Sequence, residues 1–574
     1  MALGEYCRFC HDRVLRCRNA VVPAGGRSIY WGIAMSMNSG AFVRSGALRA
    51  ALLAGALLVG AGAAVSATTE DNMAYRLALA EAASGDDALM AFYRDRDFAP
   101  LWTGAGDAER REALLSHVEG AAAHGLAIAR YDARELRAAL RGVDSEPARA
   151  RAEIRLSRAL LDYAHDIAGG VLEPTDLGSN FLREVAHRPD PRDLLEAFEQ
   201  GPPAAVLRDL MPSHPEYARL FRAAQRLEAQ IARGGWGATV GASRLAPGDN
   251  SGEVIALRDR LIAMGDLDRS ATARYDGTLQ AAVQRFQRRH GINPDGIAGP
   301  ETLAAINVPA EDRLRAVRVA MERERWLNTE RGTRHIWVNL TDFSSRIVDH
   351  EEITYQTKSI IGERSSNRQT PEFSEDMTYM EINPDWTVPR SMIARDYLPG
   401  LRANPYAHSQ FQVVDQSGRV IDRGSVNFAR YNARTFPFNL RQPPGPNNAL
   451  GRVKFMFPNP HAIYLHDTPN QSLFGTQVRA HSNGCVRLED PFDFAYELLD
   501  PQEDDPRARF HAVLDTGQQT RVYLDDPVPV HLVYRTAFTD ERGRLNFRED
   551  VYGRDAAVHE ALQEAGVVPA DIRS

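Results

Sequence analysis

The chain changes texture once, just past Trp326, and that change sets its fold class. Upstream, segments such as Arg155-Leu156-Ser157-Arg158-Ala159-Leu160-Leu161 place apolar residues at helical spacing. Downstream, His335-Ile336-Trp337-Val338-Asn339-Leu340, Arg346-Ile347-Val348, Phe411-Gln412-Val413-Val414 and Arg521-Val522-Tyr523-Leu524 are short β-rich runs, and Pro and Gly punctuation is dense from 365 to 460. A helix buries a stripe and a strand buries alternate residues, so the two halves call for separate cores. At 574 residues the chain is also too long for one core, and two to four domains are expected. The fold class is therefore multidomain α+β, with a helical N-terminal scaffold, a small three-helix module and a mainly-β domain with long loops.

Residues 70–235, rich in Ala, Arg, Leu and Glu, read as the helical scaffold, with no chemistry of its own. Gly234 to Gly252 reads as a linker. In the module at 253–307, Leu279, Ala282, Val283 and Phe286 fall at i, i+3, i+4 and i+7, one face of a helix. Asp295-Gly296-Ile297-Ala298-Gly299-Pro300-Glu301-Thr302 follows. Its glycines permit a tight turn, and Pro300 suits the first position of the next helix. Residues 310–327 are helical again. The β domain runs over 330–535, which leaves 536–574 as a C-terminal tail.

The N-terminus sets the compartment. Arg44 and Arg49 precede an uncharged stretch, Ala50 to Ala67, that ends in the small residues Val65-Ser66-Ala67. This is the pattern of an export signal; uncleaved, the same stretch would serve as an inner-membrane anchor. Either way the rest of the chain is expected in the periplasm or cell envelope. Residues 1–34 fit badly before such a signal, and Met35 or Met37 is the expected start, so 1–67 is a doubtful extension plus a signal or anchor. Cys7-Arg8-Phe9-Cys10-His11 has the spacing of a haem attachment motif, but it lies on the wrong side of the export signal with no domain around it. No cofactor is expected. No metal site is expected either, because the exported part has no His-Glu-x-x-His run or paired Cys/His cluster. The net charge of −8 argues against a nucleic-acid partner.

With the N-terminal cysteines set aside, one cysteine remains, Cys485. It sits in His481-Ser482-Asn483-Gly484-Cys485-Val486-Arg487-Leu488, downstream of Ile463-Tyr464-Leu465-His466-Asp467-Thr468-Pro469. A thiol attacks as thiolate and needs a base or a positive field, for which His466 and His481 are both candidates. Gly484 allows a sharp turn that exposes the sulfur and could aim backbone N–H groups at an oxyanion. Cysteine, histidine and such donors are the minimum for acyl transfer.

These residues resemble the catalytic motif of the L,D-transpeptidase (YkuD) domain, in which a histidine precedes a Ser-x-Gly-Cys turn followed by an apolar residue and Arg or Asn. Tyr464 to Pro469, Arg368-Gln369-Thr370-Pro371 and Asn383-Pro384-Asp385-Trp386-Thr387-Val388-Pro389 are similar to the large YcbB-type branch. So are Phe92-Tyr93 with Pro100-Leu101-Trp102, Pro212 to Tyr217, Tyr534 to Phe538 and Tyr552-Gly553-Arg554-Asp555. The segment at 295–302 is similar to the peptidoglycan-binding module of wall enzymes, with a spacer as the alternative reading. The resemblance implies that Cys485 is the nucleophile and that His466, 19 residues upstream, is the general base. It implies an oxyanion turn at Gly484 and Asn483, and a pocket shaped by Tyr464. Arg487 would organise that pocket or meet a substrate carboxylate. Asn483 stands where the family commonly has a second histidine, and His481 reads as a pocket-wall or surface residue. Trp386 is a substrate contact or a core aromatic. Residues 390–455 would form a capping loop or a plain surface loop.

The implied activity is a peptidoglycan L,D-transpeptidase that forms 3→3 cross-links between a donor tetrapeptide stem and an acceptor stem through a cysteine thioester. A wall cysteine peptidase or carboxypeptidase is one alternative, since His511 and His531 follow Cys485, as base histidines do in papain-like and NlpC/P60-like enzymes. A non-catalytic wall-binding scaffold is another. A lipoprotein or a free D-amino acid could also replace the stem acceptor.

Overall fold

The computed structural model describes residues 72–185, 188–365 and 367–567. The export segment, the early start and the Cys7–His11 motif lie outside the described residues, as does the end of the tail from 568.

The helical half begins with α1 (72–82), α2 (Asp87–Asp95), α3 (Ala108–Gly120), α4 (Ala133–Arg141) and α5 (Glu146–Gly169), followed by α6 (Pro191–Gln200), α7 (Pro203–Asp209) and α8 (Pro215–Ala232). Polar residues start these helices: the Asp86 and Ser145 side chains accept from the free N–H groups of α2 and α5. Within the segment Arg155–Leu161 of α5, Leu156, Ala159 and Leu160 are buried. The same helix buries Glu153. Its carboxylate accepts from the backbone N–H groups of Leu101, Trp102 (2.9 Å) and Thr103 (3.0 Å) and from the Tyr93 hydroxyl (3.1 Å). This bonding ties the Pro100-Leu101-Trp102 segment to the long helix.

The module comprises α9 (Gly252–Ala263), α10 (Gly277–Arg289) and α11 (Pro300–Asn307). Leu279, Ala282, Val283 and Phe286 are all buried on α10, whose N-terminus is capped by Asp276. Pro300 opens α11, and Gly296 has a φ of +74°. Gly299, by contrast, is extended at φ −79° and needs no glycine. The stretch read as a linker belongs to the module from Val240 on, because Val240 and Leu245 are buried in the module core and Leu245 pairs with Ala298. Helix α12 (Ala310–Trp326) then packs against α8 in the scaffold core.

The mainly-β half contains β1 (Arg334–Asn339), β2 (Ser344–Asp349), β3 (Glu352–Gly362), β4 (Phe373–Ile382) and β5 (Trp386–Thr387). The short α13 (Arg390–Met392) and α14 (Leu398–Ala403) come next, then β6 (Gln412–Val414), β7 (Asn439–Gln442), β8 (Val453–Met456), β9 (Leu465–His466), β10 (Ala480–Ser482) and β11 (Val486–Leu488). It ends with α15 (Pro491–Leu499), α16 (Pro506–Leu514) and β12 (Thr520–Val533). The main sheet runs β10-β3-β11-β9-β8-β4-β12-β1-β2, and pairing of β2 with β3 closes it on itself. The enclosed core includes Ile336, Val338, Phe455, Leu465, Val486 and Leu532. Two features of this stretch lie outside the main sheet. Helices α15 and α16 pack on the sheet, and Pro at the first turn of each, with Asp490 and Asp505 before it, marks where they begin. Residues 386–450 form a small body of their own, in which β5, β7 and β6 pair over a core of Val388, Leu401, Phe411, Val413 and Leu440.

The tail forms a hairpin, β13 (Ala537–Thr539) with β14 (Leu545–Phe547), and a helix, α17 (Arg554–Glu564). It packs into the helical half: Ala537 and Phe547 join the scaffold core, and Val558 and Leu562 pack with Phe181, Val319 and Trp326.

Candidate active site

Two short parallel strands build the site. β9 and β11 pair with Leu465 opposite Val486 and His466 opposite Arg487. Leu465 and Val486 point into the sheet's core and are fully buried. Side chains alternate along a strand, so Tyr464, His466, Cys485 and Arg487 share the opposite face. β8 adds Lys454, which pairs with His466. Its Nζ lies 4.2 Å from the centroid of the Tyr464 ring and 3.7 Å from the Glu381 carboxylate.

The turn before Cys485 is held from three directions. Gly484 has a φ of +123°, and a Cβ there would lie 3.3 Å from Ile463 Cδ1, so both conformation and space favour glycine. The Ser482 hydroxyl donates to the Cys485 carbonyl (2.5 Å) and accepts from the Gly484 N–H (3.1 Å). The Thr370 hydroxyl, fully buried, donates to the Gly484 carbonyl (2.7 Å) and accepts from the Gly362 N–H (2.9 Å). Gly362 has no room for a side chain, because a Cβ would meet the Arg368 carbonyl and the Thr370 nitrogen. The Arg368-Gln369-Thr370-Pro371 segment therefore lies directly on the backbone of β3. The tail secures it from outside: the Tyr552 hydroxyl donates to the Gly362 carbonyl (2.7 Å) and an Arg554 N–H donates to the Thr370 carbonyl (2.7 Å).

Cys485 is half-buried, and its thiol is directed to the Ala462 carbonyl at 3.6 Å. Burial pushes this thiol up from its ordinary value, while hydrogen bonds from Tyr464, through backbone and phenol, and the cations Lys454 and Arg487 act the other way. His466 is buried, and its Nδ1 lies 2.5 Å from the Asp467 carbonyl, so Nδ1 carries the proton and Nε2 the free lone pair. Its pKa is pushed down to about 3, by burial first and then by Arg487 and Lys454, while the backbone of Asp467 and of Leu450 acts the other way. Both shifts favour the neutral forms, thiol and imidazole. No hydrogen bond joins Sγ to the imidazole in this conformation; the strand register places His466 diagonally across from Cys485.

The remaining expected site residues fall as follows. Tyr464 packs its ring 5.6 Å from that of His466 and touches the core of the 386–450 body. Trp386 is buried in that core, and its indole N–H reaches the Tyr464 phenol, so it is both a core aromatic and a neighbour of the site. Arg487 has a buried Nε without a hydrogen-bond partner and no ion pair among the described residues. Asn483 is exposed and accepts from Arg395 of the 386–450 body at 3.3 Å. The Gly484 N–H is occupied by Ser482, which leaves the Cys485 N–H, with no acceptor among the described residues, as the donor free for an oxyanion.

His481 points outward and bonds Thr476 at 3.2 Å. Neither His511 nor His531 is free. His511 bonds the Tyr496 hydroxyl (2.8 Å), and His531 is buried between the Ser374 hydroxyl (2.7 Å) and the Arg331 carbonyl (2.9 Å). Sequence reasoning passed over Lys454, Ser482 and the Thr370 hydroxyl. Ser482 is close enough to Cys485 to have been found as a turn residue, whereas Lys454 and Thr370 arrive through strand pairing and a loop more than 30 and 110 residues away. Among the described residues no group of three or more His, Cys, Asp or Glu could hold a metal, and no helix is long and apolar enough to cross a membrane.

Comparison with known proteins agrees with this layout. Residues 333–525 match the family model described as the L,D-transpeptidase catalytic domain (YkuD). Residues 250–306 match "Putative peptidoglycan binding domain" and residues 87–223 match "Scaffold domain". A curated protein of Haemophilus influenzae named "Putative L,D-transpeptidase" is 32% identical over 226 residues, which are 39% of this chain and 45% of that protein. The chain thus spans less than half the length of that relative. General secretion pathway protein A of Aeromonas hydrophila is 54% identical over 37 residues, 6% of this chain and 7% of that protein. Among solved structures, an L,D-transpeptidase fragment from Xylanimonas cellulosilytica is similar at 16% identity, covering 51% of this chain and 98% of its own, with a TM-score of 0.17, too low to bear on the fold.

Proposed function

We propose that this chain, which carries an L,D-transpeptidase catalytic domain of the YkuD family over 333–525 and a peptidoglycan-binding domain over 250–306, is a cell-envelope enzyme that forms 3→3 cross-links through a thioester on Cys485. The observation that carries the reading is the parallel register of β9 with β11, which puts a cysteine, a buried neutral histidine, a tyrosine and an unpaired arginine on one face.

The neutral resting pair sets the order of events. Rotation of the Cys485 side chain away from the Ala462 carbonyl brings Sγ toward Nε2 of His466. The thiol proton passes to Nε2 as sulfur attacks the carbonyl of the third stem residue, an L-centre bonded to D-Ala. The oxyanion takes the Cys485 N–H. His466 then gives its proton to the departing D-Ala amine, and a thioester remains. The side-chain amine of a second stem's diaminopimelate attacks the thioester, His466 accepts the amine proton, and the sulfur leaves with a proton returned to it. Arg487, a cation with a free buried Nε, is suited to a carboxylate of one of the stems. The engagement of His511 and His531 elsewhere weighs against a peptidase with its base after the cysteine.

Incubation of the protein with disaccharide-tetrapeptides, read by mass, tests this. Dimers lacking one D-Ala, made by the intact protein and absent with Cys485→Ala, are expected. Tripeptide monomers alone would replace the reading with a carboxypeptidase, and no product together with an unreactive Cys485 would replace it with a scaffold.

A further inference from the structure

Away from Cys485, a cavity of about 640 Å³ opens where α8, the three-helix module, Arg313 of α12 and the turn of the tail hairpin meet. Its volume is that of a small-ligand site. Six arginines line it. Arg289 pairs with Asp266 and Arg544 with Asp540. Arg226, Arg233, Arg313 and Arg542 have no carboxylate partner among the described residues. Two of these four are held in place: the Arg313 guanidinium lies 4.4 Å from the Phe547 ring centroid and donates to the Ala305 carbonyl (3.0 Å), and Arg226 donates to the Gly543 carbonyl (3.1 Å). Like charges held together around a hollow repel one another, and a bound anion relieves that repulsion. A planar guanidinium favours carboxylate or phosphate, and the apolar wall of Trp236 and Phe547 favours an anion carried on a carbon skeleton over an inorganic one.

We propose that this composite cleft is a second substrate-binding site, one that takes a carboxylate-bearing stem peptide of a wall strand other than the strand reacting at Cys485. The proposal rests on the peptidoglycan reading above, which makes stem carboxylates the anions at hand. The site belongs to no single domain. The module contributes one wall, and the scaffold helix and tail hairpin contribute the others, so grip on the wall requires the three parts to be assembled.

Calorimetric titration of the full chain carrying Cys485→Ala with disaccharide-tetrapeptide tests it. Two binding events are expected, one at each site. Arg233→Ala with Arg542→Ala, both exposed and without a carboxylate partner among the described residues, should weaken one event by at least about tenfold and leave the other, with the melting temperature unchanged. Added salt should weaken that same event, and uncharged chitotetraose should not compete for it. Two unchanged events in the double variant would overturn the proposal, as would equal competition by chitotetraose, or competition by pyrophosphate stronger than by the tetrapeptide. The two readings fail separately. In a chain with Cys485 intact, the double variant should still cross-link soluble tetrapeptides, whereas cleft binding without any cross-linking would sink only the catalytic reading.

Discussion

Replacing Thr370 by valine removes one hydroxyl and almost no volume. That hydroxyl donates to the Gly484 carbonyl and accepts from the Gly362 N–H, in a site with no exposure to solvent. The valine would leave a buried acceptor and a buried donor unpaired, at about 1–3 kcal/mol each, so a loss of about 2–6 kcal/mol in unfolding free energy is expected. The loop cannot close up to compensate, since it already rests on the backbone of Gly362. Thr370→Ser is the control. It keeps both hydrogen bonds and gives up one buried methyl, worth about 1 kcal/mol. The turn that carries Cys485 loses its tether in the valine variant only, and on the proposed mechanism a displacement near 1 Å costs about a hundredfold in rate. Urea unfolding of both variants gives the stability difference, and dimer formation from tetrapeptides gives the rate. If valine proved no more harmful than serine on both measures, Thr370 would be a packing residue and the tether argument would fail.

Gly484→Ala meets both the +123° φ and Ile463 Cδ1, so a loss of about 1–3 kcal/mol in stability and a drop of at least about tenfold in acyl transfer are expected; full activity would show that the turn has slack. Lys454→Met removes a cation that lowers the Cys485 pKa, so the pH profile of iodoacetamide labelling should move to higher pH, and an unmoved profile would place the lysine outside the thiol's field. His466→Gln should abolish cross-linking while His511→Ala leaves it intact; the reverse pattern would point to a cysteine peptidase. His466 also bears on acid stability. Its folded pKa of about 3 lies below the ordinary 6.5, so its neutral form contributes stability that is complete above pH 6.5 and is lost as pH falls through about 3. His466→Gln should therefore make the unfolding free energy less steep between those values without flattening it, because His531, also depressed to about 3, keeps its own share.

What could be read along the chain was whatever depended on near neighbours. The buried face of α10 was legible because Leu279, Ala282, Val283 and Phe286 repeat at the helical period and nothing distant is needed to bury them. Helices α15 and α16 were legible too, through the Asp-Pro pairs that open them, but the β texture around them masked the signal. The Cys–His motif stood out through residues close together in sequence, yet its geometry depends on pairings that no local pattern encodes. Nineteen residues separate His466 from Cys485, and only the parallel register of β9 with β11 puts the two on one face. The same holds for Thr370, whose partner Gly484 is 114 residues away, and for Tyr552 and Arg554, which secure the Thr370 loop from a tail that reads as an appendage. The tail's other contacts reach the scaffold core through Ala537 and Phe547 and border the arginine-lined cleft through Arg542 and Arg544. One segment of about thirty residues therefore touches both the support of the Cys485 turn and the wall of the cleft.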